Sequence, residues 1–171
     1  MPAVHVCPLS QIAPTVAASG ASHLITLINL DTPVARPDAI APENHLFIGI
    51  NDIVEPMDGM VLAADDHVIT LIDFIRGWDQ SRPLVVHCFA GISRSTAAAF
   101  IALCVARPDR DERAIAQALR RASPKATPNA RLIAIADRLL ARDGRMVAAI
   151  AEIGHGEMAA ENVPFTLALE D

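Results

Sequence analysis

Cys88 and Arg94 frame the only part of the chain whose residue types form a complete chemical set. They stand in His87-Cys88-Phe89-Ala90-Gly91-Ile92-Ser93-Arg94-Ser95-Thr96. A thiolate is the nucleophilic form of cysteine, and it is favoured where N–H donors and a cation converge. The Arg94 guanidinium is a planar fork suited to two oxygens of a phosphoryl group. It would also stabilise charge on that group as the bond order changes. Gly91 permits a tight turn and a close backbone approach. The Ser95 hydroxyl is placed to donate to the Cys88 sulfur when the sulfur departs. His87 is better suited to setting the loop through hydrogen bonds than to acting as a base.

Such a set works only if its neighbours hold it in place. Pro83-Leu84-Val85-Val86-His87 reads as a short buried strand, and Ser93 to Ala106 as an apolar helix. A strand, a tight loop and a helix N-terminus make an anion cradle, with successive N–H groups and the positive end of the helix dipole aimed at one spot. Phe89, Ala90, Gly91, Ile92 and Ser93 would line it, with Arg94 closing it.

The run resembles the signature His-Cys-x5-Arg-Ser/Thr of the cysteine-dependent protein phosphatases. Its form Cys-x-x-Gly-x-Ser-Arg-Ser is most similar to the compact dual-specificity and tyrosine phosphatases. Arg120-Arg121-Ala122-Ser123-Pro124 through Pro128-Asn129 resembles the family's segment ending in Pro-Asn. The resemblance spans His45 to Arg142. It implies a phosphocysteine intermediate with no metal and no organic cofactor. It also implies a central sheet of four or five strands, with the catalytic loop at a strand's C-terminal end. The family takes its general acid from an aspartate upstream of the cysteine. Asp52 fits best, because it follows the strand His45 to Ile50 almost directly. Asp58 is the alternative. Asp65 and Asp66 fall within a helical pattern and read as solvated.

A chain of 171 residues, 52% of them hydrophobic, suits one domain with a proper core. The domain is expected over residues 1–155, with 156–171 a tail of uncertain structure. Strand candidates are Val4 to Val6, Ser22 to Leu30, His45 to Ile50 and the run before Cys88. Helices are expected over Ser10 to Ser19, Met60 to Trp78, Ser93 to Ala106, Arg110 to Ala122, from Thr127-Pro128 to Asp143-Gly144, and Arg145 to Ile153. Asp109-x-x-Glu112 reads as a capping box. This order predicts a single-domain α/β fold, a mostly parallel sheet flanked by helices, similar to the dual-specificity phosphatases.

The net charge of −6 argues against general binding of nucleic acid or anionic membranes. Three scattered cysteines, Cys7, Cys88 and Cys104, argue for a reducing, cytoplasmic setting and offer no metal-ligand spacing. Cys104 reads as a buried core thiol, and either it or Cys7 is a candidate redox partner of Cys88. Arg120, Arg121 and Lys125 form either a second phosphate patch or a solvated helix end.

The expected activity is hydrolysis of phosphate monoesters, on a phosphorylated protein, with phosphotyrosine foremost, or on a small ester. A phosphate-recognising module without catalysis, or a sulfurtransferase, would use the same loop. Phosphoinositide phosphatases of the resembled superfamily often carry basic residues in the loop, and Phe89, Ala90, Ile92 and Ser93 include none, so the resemblance implies a substrate other than a highly charged inositol lipid. Oligomeric state leaves no trace in the sequence.

Overall fold

A computed structural model describes residues 2–170. Five strands form one sheet in the order β3-β2-β4-β1-β5. They are β1 (Ala3–Pro8), β2 (His23–Ile28), β3 (His45–Gly49), β4 (Leu84–Cys88) and β5 (Phe165–Ala168). All neighbours run parallel except β5, which pairs antiparallel with β1. Central β4 is buried along its whole length. Its apolar run is what a strand covered on both faces requires.

Alternate residues of these strands serve two cores, because successive side chains point to opposite faces. Cys7, Leu24 and Val85 pack with Ile12, Val16 and Ile40 beneath α1 (Ile12–Ser19). Val4, Val6, Ile25, Leu27 and Val86 face the larger core. That core is closed by α2 (Asp65–Gly77), α3 (Arg94–Ala106), α4 (Glu112–Ala122), α5 (Ala130–Leu139) and α6 (Arg145–Ile153). Residues Arg94 through Cys104 of α3 are all buried, so this helix is the hub of the layer. Its alanines at 97–99 let it lie close to the sheet. No helix among the described residues is long and apolar enough to cross a membrane.

The expected architecture is the observed one, and its local departures have identifiable causes. The helix expected from Met60 begins at Asp65. Val61 is instead clipped to Asn51: its N–H donates to the Asn51 side chain at 2.8 Å, and the Asn51 N–H donates to its carbonyl at 2.9 Å. That clip keeps residues 60–64 out of the helix although their apolar spacing suits one. In α4 the cap is Asp111, whose carboxylate accepts from the Ala114 N–H at 2.9 Å. Glu112 therefore opens the helix, and it is buried against Arg142 at 2.7 Å. Asn129, one residue after Pro128, caps α5 through the N–H groups of Arg131 and Leu132.

The stretch after Ile153, where no sequence pattern stands out, crosses back over the loop that follows Cys88. It ends in β5, which extends the sheet beyond β1. Val163 stays exposed while Leu167 and Leu169 enter the core.

Candidate active site

Cys88 ends β4, opposite Pro8 of β1. The chain then turns so tightly that Gly91 adopts φ +72°, and a Cβ there would lie 2.9 Å from the Pro8 nitrogen. Glycine is thus required twice, by conformation and by space.

The carbonyls of the turn are all engaged, the first by the neighbouring His87 ring and the rest by surrounding elements. His87 Nδ1 lies 3.0 Å from the Cys88 carbonyl. The Leu9 N–H donates to Phe89 at 3.0 Å, and the Asn162 N–H to Ala90 at 2.9 Å. The Asn162 side-chain amide donates to Gly91 at 3.0 Å. The Thr127 and Asn129 N–H groups donate to Ile92 and Ser93 at 2.9 and 3.2 Å. In a trans, planar peptide the N–H points opposite to the preceding carbonyl, and no peptide bond among the described residues is cis. Tying the carbonyls to the surroundings therefore turns the N–H groups of residues 89–94 toward the cysteine. Accordingly the Gly91 N–H donates to Cys88 Sγ at 3.3 Å. Ser95 Oγ lies 3.1 Å from the same sulfur.

Arg94 is 7% exposed. Its Nη1 donates to the Asn29 side-chain oxygen at 2.7 Å and to the Ile50 carbonyl at 2.9 Å. Those acceptors follow β2 and β3, so two strand ends fix the guanidinium plane. Its Nε is buried without a hydrogen-bond partner among the described residues. A buried, unpaired guanidinium N–H is costly unless an anion accepts from it. The cradle therefore has the donors for a tetrahedral oxyanion.

His87 is fully buried, and burial pushes its pKa down to about 4. Nδ1 faces a carbonyl and so carries the proton. Nε2 then accepts from the Thr26 hydroxyl at 2.7 Å, which in turn accepts from His45 Nε2 at 2.8 Å. The ring is a neutral, oriented donor that steadies the loop.

Asp52 comes to the rim. Ser93 Oγ donates to its Oδ1 at 2.7 Å, and Asn129 Nδ2 donates to the same oxygen at 2.9 Å. Oδ2 takes no bond among the described residues, and the residue is exposed. Asp58 is exposed in the same loop and makes no hydrogen bond or ion pair there. Asp65 opens α2 and pairs with Arg138.

The remaining candidates lie elsewhere. Burial raises the Cys104 thiol to about 12 and the Cys7 thiol to about 11. All three cysteines are free. Arg120 is no phosphate ligand here, because it straps the Ser123, Pro124, Ile153 and Gly154 carbonyls.

Three contributors escape sequence reasoning: Asn29, Thr26 and Asn162. Asn29 and Thr26 belong to or follow an unremarkable apolar strand. Asn162 sits in a stretch without periodicity, yet it is 5% exposed and also donates to Ser123 Oγ at 2.9 Å.

Residues 56–128 match the protein-tyrosine phosphatase family model. No curated protein sequence matches the chain. Among solved structures, DUSP15 superposes with a TM-score of 0.64 at 20% identity, over 92% of this chain and 96% of that one. Human DUSP28 gives 0.62 at 16% identity, over 81% and 94%. The human tyrosine phosphatase-like serine/threonine/tyrosine-interacting protein gives 0.61 at 19% identity, over 83% and 97%.

Proposed function

We propose that this chain, whose residues 56–128 match the protein-tyrosine phosphatase model and whose fold is that of dual-specificity phosphatase structures, hydrolyses phosphate monoesters through a phosphocysteine on Cys88. The observation that carries the reading is that the Cys88 sulfur meets the Gly91 N–H and the Ser95 hydroxyl in a loop closed by a buried Arg94 whose Nε has no partner among the described residues.

In the first step the Cys88 thiolate attacks phosphorus and the ester P–O bond breaks. Asp52, as the acid, gives its proton to the departing oxygen. Arg94 and the loop amides hold the three equatorial oxygens as charge redistributes. In the second step water attacks phosphorus while Asp52 takes its proton. The S–P bond breaks, inorganic phosphate leaves, and Ser95 donates to the returning thiolate. Ser93 and Asn129, both bonded to Oδ1, would keep Oδ2 turned to the leaving group. The substrate class is a phosphorylated protein, with phosphotyrosine foremost. A reducing, cytoplasmic setting suits a mechanism that needs a free thiol.

Hydrolysis of p-nitrophenyl phosphate, with and without orthovanadate, tests the proposal. Wild-type protein should turn over and be inhibited by vanadate, and Cys88→Ser should lose at least about 10⁴-fold in kcat. Substantial activity in Cys88→Ser would refute the phosphocysteine. A second reading, phosphate recognition without turnover, has one point in its favour: a similar structure is itself named phosphatase-like and interacting. Folded wild-type protein that binds a phosphopeptide and releases no phosphate would establish that reading instead.

A further inference from the structure

Beside the catalytic loop an apolar trough runs outward from Asp52, and beyond its inner end the two steps above do not use it. Its inner hollow, about 580 Å³, begins at Asp52, Ser93 and Asn129 and is walled by Val54 and Met57. Its outer hollow, about 250 Å³, lies between α5 and α6 against Ile133, Val147 and Ile150. The two hollows share Thr127, Pro128, Ala130 and His155, so they form one continuous path leading away from Cys88. Val54, Met57 and Val147 are 51%, 54% and 44% exposed, although most large apolar side chains of the chain are buried. Apolar surface left open beside a reactive centre marks a place where something docks.

The trough's chemistry selects its occupant. No lysine or arginine lines either hollow, and Glu55 stands in the inner one. A second phosphate, or an anionic membrane surface, would meet a carboxylate there and neither lysine nor arginine. The path is open and divided in two, which suits separate side chains better than one unbranched hydrocarbon tail. Residues two apart in an extended peptide project to the same side and would enter successive hollows.

We propose that the trough seats large aliphatic side chains flanking the phosphorylated residue, so that the substrates are phosphoproteins with apolar sequence beside the phosphosite. The proposal rests on the phosphatase reading for its kinetic test and not for its binding test.

The kinetic test compares two sets of phosphotyrosyl peptides, identical except for Leu or Ser at the positions near the phosphotyrosine on either side. The wild type should favour a Leu peptide by about tenfold in kcat/KM, as burial of one aliphatic side chain implies. In Val147→Asp and in Met57→Asp that ratio should fall to within about twofold, and because it is taken within one protein it is independent of the fraction folded. A wild-type ratio near one, or a ratio untouched by both substitutions, overturns the proposal. So does faster turnover of phosphatidylinositol monophosphate in vesicles than of any peptide. If aryl phosphate and peptides are all left intact, the catalytic reading fails by itself. Fluorescence anisotropy of the same labelled peptides then decides: a tenfold tighter Kd for Leu that Val147→Asp removes upholds the trough, and equal Kd values refute it.

Discussion

Two loops meet over the C-terminal edge of the sheet, and they are built in opposite ways. The turn from Cys88 to Arg94 has every carbonyl from Cys88 to Ser93 engaged: by the adjoining His87 ring, the residue after β1, the entry to α5 and Asn162 of the C-terminal stretch. The loop after β3 is clipped at its base by Asn51 and Val61, and its arc from Val54 to Met60 is exposed throughout. Stabilising a charged transition state demands donors that need no rearrangement when charge develops. Delivering a proton to a large leaving group demands access and room to close. Rigidity and freedom are thus divided between neighbouring loops, with the two hydrogen bonds to Asp52 as the joint.

Arg94→Lys is the strongest way to break the contrast. A lysine has no second fork to hold both strand-end acceptors and the phosphate, so kcat/KM toward an aryl phosphate should drop about 10³-fold. A loss under tenfold would mean that the rigid loop is not where the charge is stabilised. Acid should weaken the same loop next. The unfolded chain protonates His87 near 6.5, and the folded chain refuses that proton until about pH 4. Stability should therefore fall as pH falls from about 6.5 to 4, by roughly 3 kcal/mol for this group, and level off below. His5, His23 and His45, also lowered by burial, add the same sign. Urea melts at stepped pH should show the slope, and His87→Gln should reduce it; an unchanged slope would remove His87 as the cause.

On the exposed side, Asp52→Asn should lower kcat about 10²-fold, more for alkyl than for aryl esters, since only poor leaving groups need the proton. Equal losses for both ester types would assign the acid to another residue. Asn162→Ala sharpens the comparison at least cost to chemistry: it leaves the Gly91 carbonyl without its donor and should destabilise the fold by about 2 kcal/mol in urea melts. Glu55→Ala, in the exposed arc, should shift the same melts by less than about 0.5 kcal/mol. Similar shifts for both would erase the distinction between the loops.

Much of this was readable from the chain because the informative signals are local. A buried strand, a glycine turn and an apolar helix are consecutive, so Cys88, Gly91, Arg94 and Ser95 could be placed together from spacing alone. The α/β order followed from alternating patterns, and the boundaries of α6 agree with the expectation. Boundaries failed where a distant partner overrode local preference, as Asn51 does at Val61. Asn29, Thr26 and Asn162 were invisible for the same reason: a polar residue signals nothing until the fold brings it to its acceptor. Asp52 stood out by its position after β3, whereas its two donors became apparent only in three dimensions.

The fastening of Ala90 and Gly91 by Asn162 has a temporal side. Proteins are made from the N-terminus onward, and early segments begin to fold during synthesis. Here the entire signature leaves the ribosome well before the residue that secures two of its carbonyls and the strand that completes the sheet. A nascent chain carrying Cys88 but lacking Asn162 holds an unsecured loop, so the Cys88 loop reaches its final form only after residue 162 has been made.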